Sequence, residues 1–293
     1  IIALSDTNIN TTQEILQLTK IPIIGVIGKK NTDNNLSVFE KPKSPLAESF
    51  RAVRSSLQFL SKKHNLEGTK ILMLTSSISG EGKSFCSINL ATVFALSEKK
   101  TVIVGLDLRK PKIFGDFKVD NNIGVVNYLV GQKTVDEIVY KSHIPNLDII
   151  TSGPIPPNPS ELLMSEAMGE LIADLKTKYD YIILDTPPVG LVADALELSH
   201  FADATLYVVR QAFTKRGMLS VVTEKHMRGE LTNVSVIFND FPNKAKYGYG
   251  YGYGYGYGAY GYGYGAYYEE DRKPKTLKEK FLDKFNFLKN KNS

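Results

Sequence analysis

The sequence predicts an α/β fold: a mostly parallel sheet with helices on both faces, followed by a flexible C-terminal tail. Three observations predict it. Short apolar runs alternate with helical stretches from Lys70 onward, a glycine-rich turn joins the first run to a helix, and the composition changes completely after Lys246. Apolar runs without strict alternation read as strands buried on both faces, which is the state of strands in a parallel sheet.

The strands are expected at Ile71–Thr75, Thr101–Leu106, Leu147–Thr151, Tyr181–Asp185, Thr205–Arg210 and Val234–Phe238. Helices are expected between most of them, over Lys83–Leu96, Glu161–Lys178, Ala193–Phe201 and Lys215–Arg228. Upstream, Ser44-Pro45 reads as a cap with proline in the first turn. Behind it Leu46, Phe50, Val53, Leu57 and Leu60 recur at spacings of four and three and make one apolar helix face. Residues 1–43 are set apart as an N-terminal segment carrying a short extended stretch, Ile21 to Ile27, ahead of a core domain over residues 44–246. Residues 247–268 form a segment of almost pure tyrosine and glycine with eleven of the chain's sixteen tyrosines, and residues 269–293 form a basic extension. With no aliphatic side chain larger than alanine, the tyrosine segment cannot build a core and is expected to be mobile. In the extension Leu277, Phe281, Phe285 and Leu288 fall on one helical face, which could meet a partner or an anionic membrane.

Bulk composition excludes several classes. The net charge of +5 is spread along the chain, where a nucleic-acid partner needs it concentrated on one face. The single cysteine, Cys86, permits no internal disulfide and should pack as a small apolar residue in a reducing compartment. No apolar run approaches the ~18 residues of a membrane span. Because the chain opens at Ile1, a longer protein with a span upstream is expected. His64, His143, His200 and His226 are scattered and imply no metal site or triad.

Chemistry concentrates where strands end, since ligands of such sheets bind at the carboxyl edge. Ser77-Ile78-Ser79-Gly80-Glu81-Gly82-Lys83-Ser84 follows the first strand and opens a helix, matching a P-loop except that Ser77 replaces its first glycine. The segment Ser79 to Phe85 is expected to cradle a nucleotide, with Lys83 on the β- and γ-phosphates and the Ser84 hydroxyl on magnesium. Asp185, closing its strand before Thr186-Pro187-Pro188, and Asp107, in Gly105-Leu106-Asp107-Leu108-Arg109-Lys110-Pro111, would complete the metal site. Asn239 and Asp240, expected just past the last strand, are placed to touch the base.

With these residues assembled, the chain resembles the bacterial tyrosine kinases (BY-kinases), the cytoplasmic domains of capsular and exopolysaccharide chain-length regulators, from about Ser44 to Tyr268. Gly80 to Ser84 ends like that family's P-loop. Asp107 to Pro111 is similar to its Walker A′ motif, Leu184 to Pro188 to its Walker B motif, and Pro156 to Leu162 to its connecting stretch. Glu48, Arg51 and Arg54 match its Glu-x-x-Arg-x-x-Arg helix, which contacts the neighbouring subunit.

The resemblance implies an ATP- and Mg2+-dependent protein-tyrosine autokinase, with Lys83, Asp107 and Asp185 catalytic and Arg109 among the nucleotide-binding residues. Its acceptors would be Tyr247, Tyr249, Tyr251, Tyr253, Tyr255, Tyr257, Tyr260, Tyr262, Tyr264, Tyr267 and Tyr268. It also implies a ring of copies of the chain, an octamer, at the cytoplasmic side of the bacterial inner membrane. A transmembrane portion or separate membrane activator and a protein-tyrosine phosphatase would be partners, and nucleic acid would not. Two features depart from the family: Gly105 stands where the first Walker A′ aspartate is usual, and the tail runs about twenty-five residues beyond the tyrosine cluster. Rival readings are a partition-type regulatory ATPase, disfavoured by Ile78 where those proteins carry lysine, and a non-catalytic nucleotide-binding adaptor.

Overall fold

The computed structural model describes residues 7–242 apart from 31, 64–67, 191–193 and 232. The candidate acceptor tyrosines, the basic extension and His64 therefore lie outside the described residues. In chain order the elements are α1 (Thr12–Leu18), β1 (Ile23–Gly28), α2 (Ser37–Glu40), α3 (Pro45–Lys63), β2 (Lys70–Ser76), α4 (Lys83–Ala95) and β3 (Thr101–Gly105). Then come α5 (Ile113–Phe117), α6 (Val125–Leu129), α7 (Val135–Ile138), β4 (Val139–Lys141), β5 (Leu147–Ile150), α8 (Pro159–Leu163) and α9 (Glu166–Lys178). The chain continues through β6 (Tyr181–Asp185), α10 (Asp194–Ser199), β7 (Ala204–Arg210), α11 (Met218–Met227) and β8 (Val234–Phe241).

The strands form one sheet in the order β1-β8-β7-β2-β6-β3-β5-β4. Every pairing is parallel except the edge pair β4–β5. Period-two alternation sends neighbouring strand residues into different layers. Ile71, Met73, Val102, Val104, Ile182 and Leu184 join one apolar core, whereas Leu72, Leu74, Ile103 and Ile183 join the other with the buried faces of α3 and α4. The strands are thus covered on both sides, as their near-continuous apolar composition requires.

Three expectations need correction. Residues 1–43 are not separate from the core, because β1 is a strand of the sheet, paired with β8, and α3 packs on it. The helix expected over Glu161–Lys178 is two: Ser165 adopts extended backbone (φ −71°, ψ 156°), and its hydroxyl turns back to the Leu162 carbonyl at 2.7 Å. A residue that bonds its own backbone in this way competes with helix propagation. Finally, Asn239 lies inside β8 rather than beyond it. Among the described residues no helix is long and apolar enough to cross a membrane.

Candidate active site

The sheet order places β6 between β2 and β3, with Leu74 of β2 and Gly105 of β3 both opposite Asp185. The loops leaving β2, β6 and β3 therefore converge on one patch of the carboxyl edge. The P-loop leaves β2 and enters α4 with Gly82 as its N-cap at φ 97°. That left-handed conformation favours glycine. A Cβ there would also stand 2.2 Å from the Asn239 amide nitrogen. The N–H groups at the N-terminus of α4 and its dipole together favour an anion.

Ser77, the departure from the P-loop pattern, has a structural explanation. Its hydroxyl lies 2.6 Å from the hydroxyl of Tyr207, which is fully buried beneath the loop. A buried phenol needs a hydrogen-bond partner, and serine supplies it where glycine could not. The loop after β6 packs tightly behind this turn. Thr75 Oγ donates to the Pro187 carbonyl at 2.9 Å, Val189 N–H donates to the Ser76 carbonyl at 3.0 Å, and a Cβ on Gly190 would stand 2.3 Å from the Ser77 carbonyl.

Asp185 is the centre of the acidic cluster and is 3% exposed. Its carboxylate accepts the Ser84 hydroxyl at 2.7 Å and the Ser87 hydroxyl at 2.9 Å. Burial raises its pKa, and that effect outweighs the opposing pull of Lys83 and the two hydroxyls, while nearby Asp107 adds to the rise. Ser87 was not anticipated. The signal for it was its position three residues after Ser84, on the same helix face. Asp107 lies two residues past β3, and its carboxylate accepts the Lys110 amide at 3.0 Å, shaping the turn that holds it. Ser84, Asp185 and Asp107 offer hard oxygen donors, the ligand chemistry that suits Mg2+.

The remaining predicted residues fall in several places. Ser79 and Gly80 form the exposed tip of the loop, and Glu81 and Phe85 are turned inward. The Phe85 ring meets Phe50 of α3 edge-on, with centroids 5.8 Å apart. Arg109 is engaged with the Ser160 hydroxyl (2.9 Å), within the connecting stretch, and with Asp194 (3.1 Å), which the sequence did not single out. Asn239 donates to the Glu81 carbonyl at 3.0 Å from behind the loop. On α3, Glu48 and Arg51 form an ion pair with each other. Arg54 donates to the Val93 carbonyl of α4 at 2.8 Å, while its buried Nε has no hydrogen-bond partner among the described residues. Cys86 is buried, and burial pushes its thiol pKa up, consistent with a packing role.

The family model described as an AAA domain matches residues 69–226, which span the P-loop and both acidic strand ends. The tyrosine-protein kinase YwqD of Bacillus subtilis is 39% identical over 182 residues, covering 62% of this chain and 76% of the relative. The chain belongs to the bacterial tyrosine-protein kinases. The putative tyrosine-protein kinase CapB of Staphylococcus aureus is 38% identical, covering 57% of this kinase and 72% of CapB. The kinase domain of Escherichia coli tyrosine kinase ETK superposes with a TM-score of 0.73 at 28% identity, over 84% of this chain and all of that one. Against EpsB of Ralstonia solanacearum, 33% identical, the kinase spans only 30% of the relative's length. It is a nucleotide-binding protein-tyrosine kinase on a P-loop scaffold, and membership favours that over both rival readings.

Proposed function

We propose that this kinase transfers the γ-phosphoryl group of ATP, with Mg2+, to tyrosines of its own segment 247–268, the tail of one subunit entering the site of the next in an octameric ring. The observation that carries the reading is the Ser84–Asp185 contact beneath the P-loop, which sets a hydroxyl and a buried carboxylate beside Lys83 at the helix N-terminus. Bound Mg2+ would supply neutralisation of charge on the phosphate oxygens, held by Ser84, Asp185 and Asp107. Phosphoryl transfer demands positioning and charge stabilisation more than covalent help. Lys83 and the loop amides hold the β- and γ-phosphates. The attacking phenol forms a new O–P bond as the bond from Pγ to the bridging oxygen breaks, and its proton passes to Asp107. A free phenol has a pKa of about 10, so a placed acceptor assists at neutral pH.

The ring is supported by Glu48, Arg51 and Arg54, which share α3 in the spacing of the family's subunit contact. The proposed setting is the cytoplasmic face of the inner membrane, with a membrane portion or activator and a phosphatase as partners, in control of capsular or extracellular polysaccharide polymerisation and export. The test is incubation with Mg2+ and γ-labelled ATP beside Lys83→Met, with label mapped by mass spectrometry. Label between Tyr247 and Tyr268 that disappears in the variant supports the proposal, and ATP binding that still gives no tyrosine label once the membrane portion or activator is added overturns it.

A further inference from the structure

Glu81 presents a problem that phosphate binding alone does not solve. Its carboxyl is fully buried inside the loop that must hold a polyanion, and among the described residues it forms no ion pair. Burial raises its pKa, so its surroundings disfavour its charge. Neutral groups hold it instead: the Ile78 N–H donates to it at 2.9 Å, the Thr214 hydroxyl donates to its other oxygen, and the Ser76 side chain and Ser77 backbone add weaker hydrogen bonds. Thr214 Oγ in turn accepts the Arg210 N–H at 2.9 Å.

The backbone on either side is held from the same direction. Arg210 donates through a terminal nitrogen to the Gly80 carbonyl at 2.9 Å, while its Nε is fixed by Asp240 at 2.9 Å. The guanidinium lies 5.1 Å from the centroid of the Phe213 ring, and that ring would stand 3.1 Å from a Cβ on Gly80. Asn239 holds the Glu81 carbonyl at 3.0 Å. In a trans peptide the carbonyl of one residue and the N–H of the next point in opposite directions. Capturing the Gly80 and Glu81 carbonyls behind the loop therefore turns the Glu81 and Gly82 amides forward, toward the phosphates.

We propose that Arg210 and Thr214 are positioning residues for the nucleotide, bracing the P-loop from behind through Gly80 and Glu81 so that its amides stay aimed at the phosphates. The brace is itself anchored. Ala212 N–H donates to the Ile9 carbonyl, Ile9 N–H to the Thr214 carbonyl and Arg216 N–H to the Thr7 carbonyl, each at 2.8 Å. A loop tied on both sides holds its geometry before ligand arrives, which is where preorganisation gains affinity.

The proposal rests on the nucleotide-binding reading of the site, and its test separates the two. Equilibrium binding of a fluorescent N-methylanthraniloyl ADP with Mg2+ is measured for the full chain, beside KM for ATP and kcat for tyrosine labelling. Thr214→Val, which keeps the shape and removes the hydroxyl, weakens binding about tenfold and raises KM with kcat within about threefold, the effect of one lost hydrogen bond to a buried carboxyl. Thr214→Ser restores affinity to within about twofold, which a purely steric role would not give. Arg210→Met reproduces the loss and carries the test if Thr214→Val does not fold. Unchanged affinity in a folded Thr214→Val or Arg210→Met, or an equal loss in Thr214→Ser, overturns the brace. Intact nucleotide binding without tyrosine label counts against the kinase chemistry and leaves the brace standing.

Discussion

Arg109, on the loop after β3, grips Asp194, at the start of α10, with two nitrogens, Nε to Oδ2 at 3.1 Å and the terminal nitrogen to Oδ1 at 3.4 Å. Ser160 closes the triangle by donating to Asp194 at 2.7 Å. The pair ties the turn that carries Asp107 to α8 and α10. Removing the guanidinium with Arg109→Ala leaves a buried carboxylate without its cationic partner. The Arg109 side chain is 40% exposed, so solvent screens part of the attraction, and the expected loss is about 1–2 kcal/mol. Thermal melts should fall by about 2–8 °C. Because Asp107 loses its support, kcat should fall more than nucleotide affinity. An unchanged melting temperature would show that the pair contributes nothing.

Asp185 offers a pH test whose sign is fixed by its burial. Its pKa in the folded protein is raised, so the folded state holds the proton more tightly than the unfolded state. Stability from this group is fully present below the unfolded pKa and is lost as pH rises through the folded one. Asp185→Asn, neutral at every pH, should therefore melt higher than wild type at pH 8 in the absence of metal and nucleotide. About 2–4 °C corresponds to ~1 kcal/mol, and the advantage should shrink toward pH 4. The same variant should lose tyrosine labelling. A wild type more stable than the variant at pH 8 would contradict the assignment.

Gly105 can be returned to the family's aspartate. A Cβ at this position would sit 3.1 Å from Ser152 Oγ and 3.4 Å from the Ser152 backbone nitrogen. The Ser152 hydroxyl donates to the Gly105 carbonyl at 2.9 Å. Gly105→Asp alone should cost about 1–3 kcal/mol, as overpacking in a filled interior does. Pairing it with Ser152→Gly should recover most of that loss in a denaturant titration. Equal stability of the single variant and wild type would mean that the neighbours yield freely.

Phosphorylation of the tyrosine segment should act on assembly through charge. Each phosphotyrosine adds about −1.5 to −2 charges, so four add on the order of −6 to −8. That overturns the +5 of the unmodified chain. Heavily phosphorylated protein should form smaller species than unphosphorylated protein by light scattering, with salt narrowing the gap. Identical masses at low salt would sink the idea.

The sequence by itself determined the alternating strands and helices, the P-loop between β2 and α4, and the aspartates at the ends of β6 and after β3. These are local signals: an apolar run bounded by turn residues, or a glycine pair before lysine and serine, has the same meaning wherever the chain goes. The expected strand Tyr181–Asp185 matches β6 in full for this reason. Tertiary structure alone decided that β6 lies between β2 and β3, bringing Asp185 against Ser84 across about a hundred residues of sequence. It also decided that β1 joins the sheet beside β8 and that Tyr207, Arg210 and Thr214 stand behind the P-loop. Such contacts depend on which strands pair and on the direction each side chain leaves its backbone. Neither is written in the spacing of apolar residues, because periodicity fixes a face and not the partner that covers it.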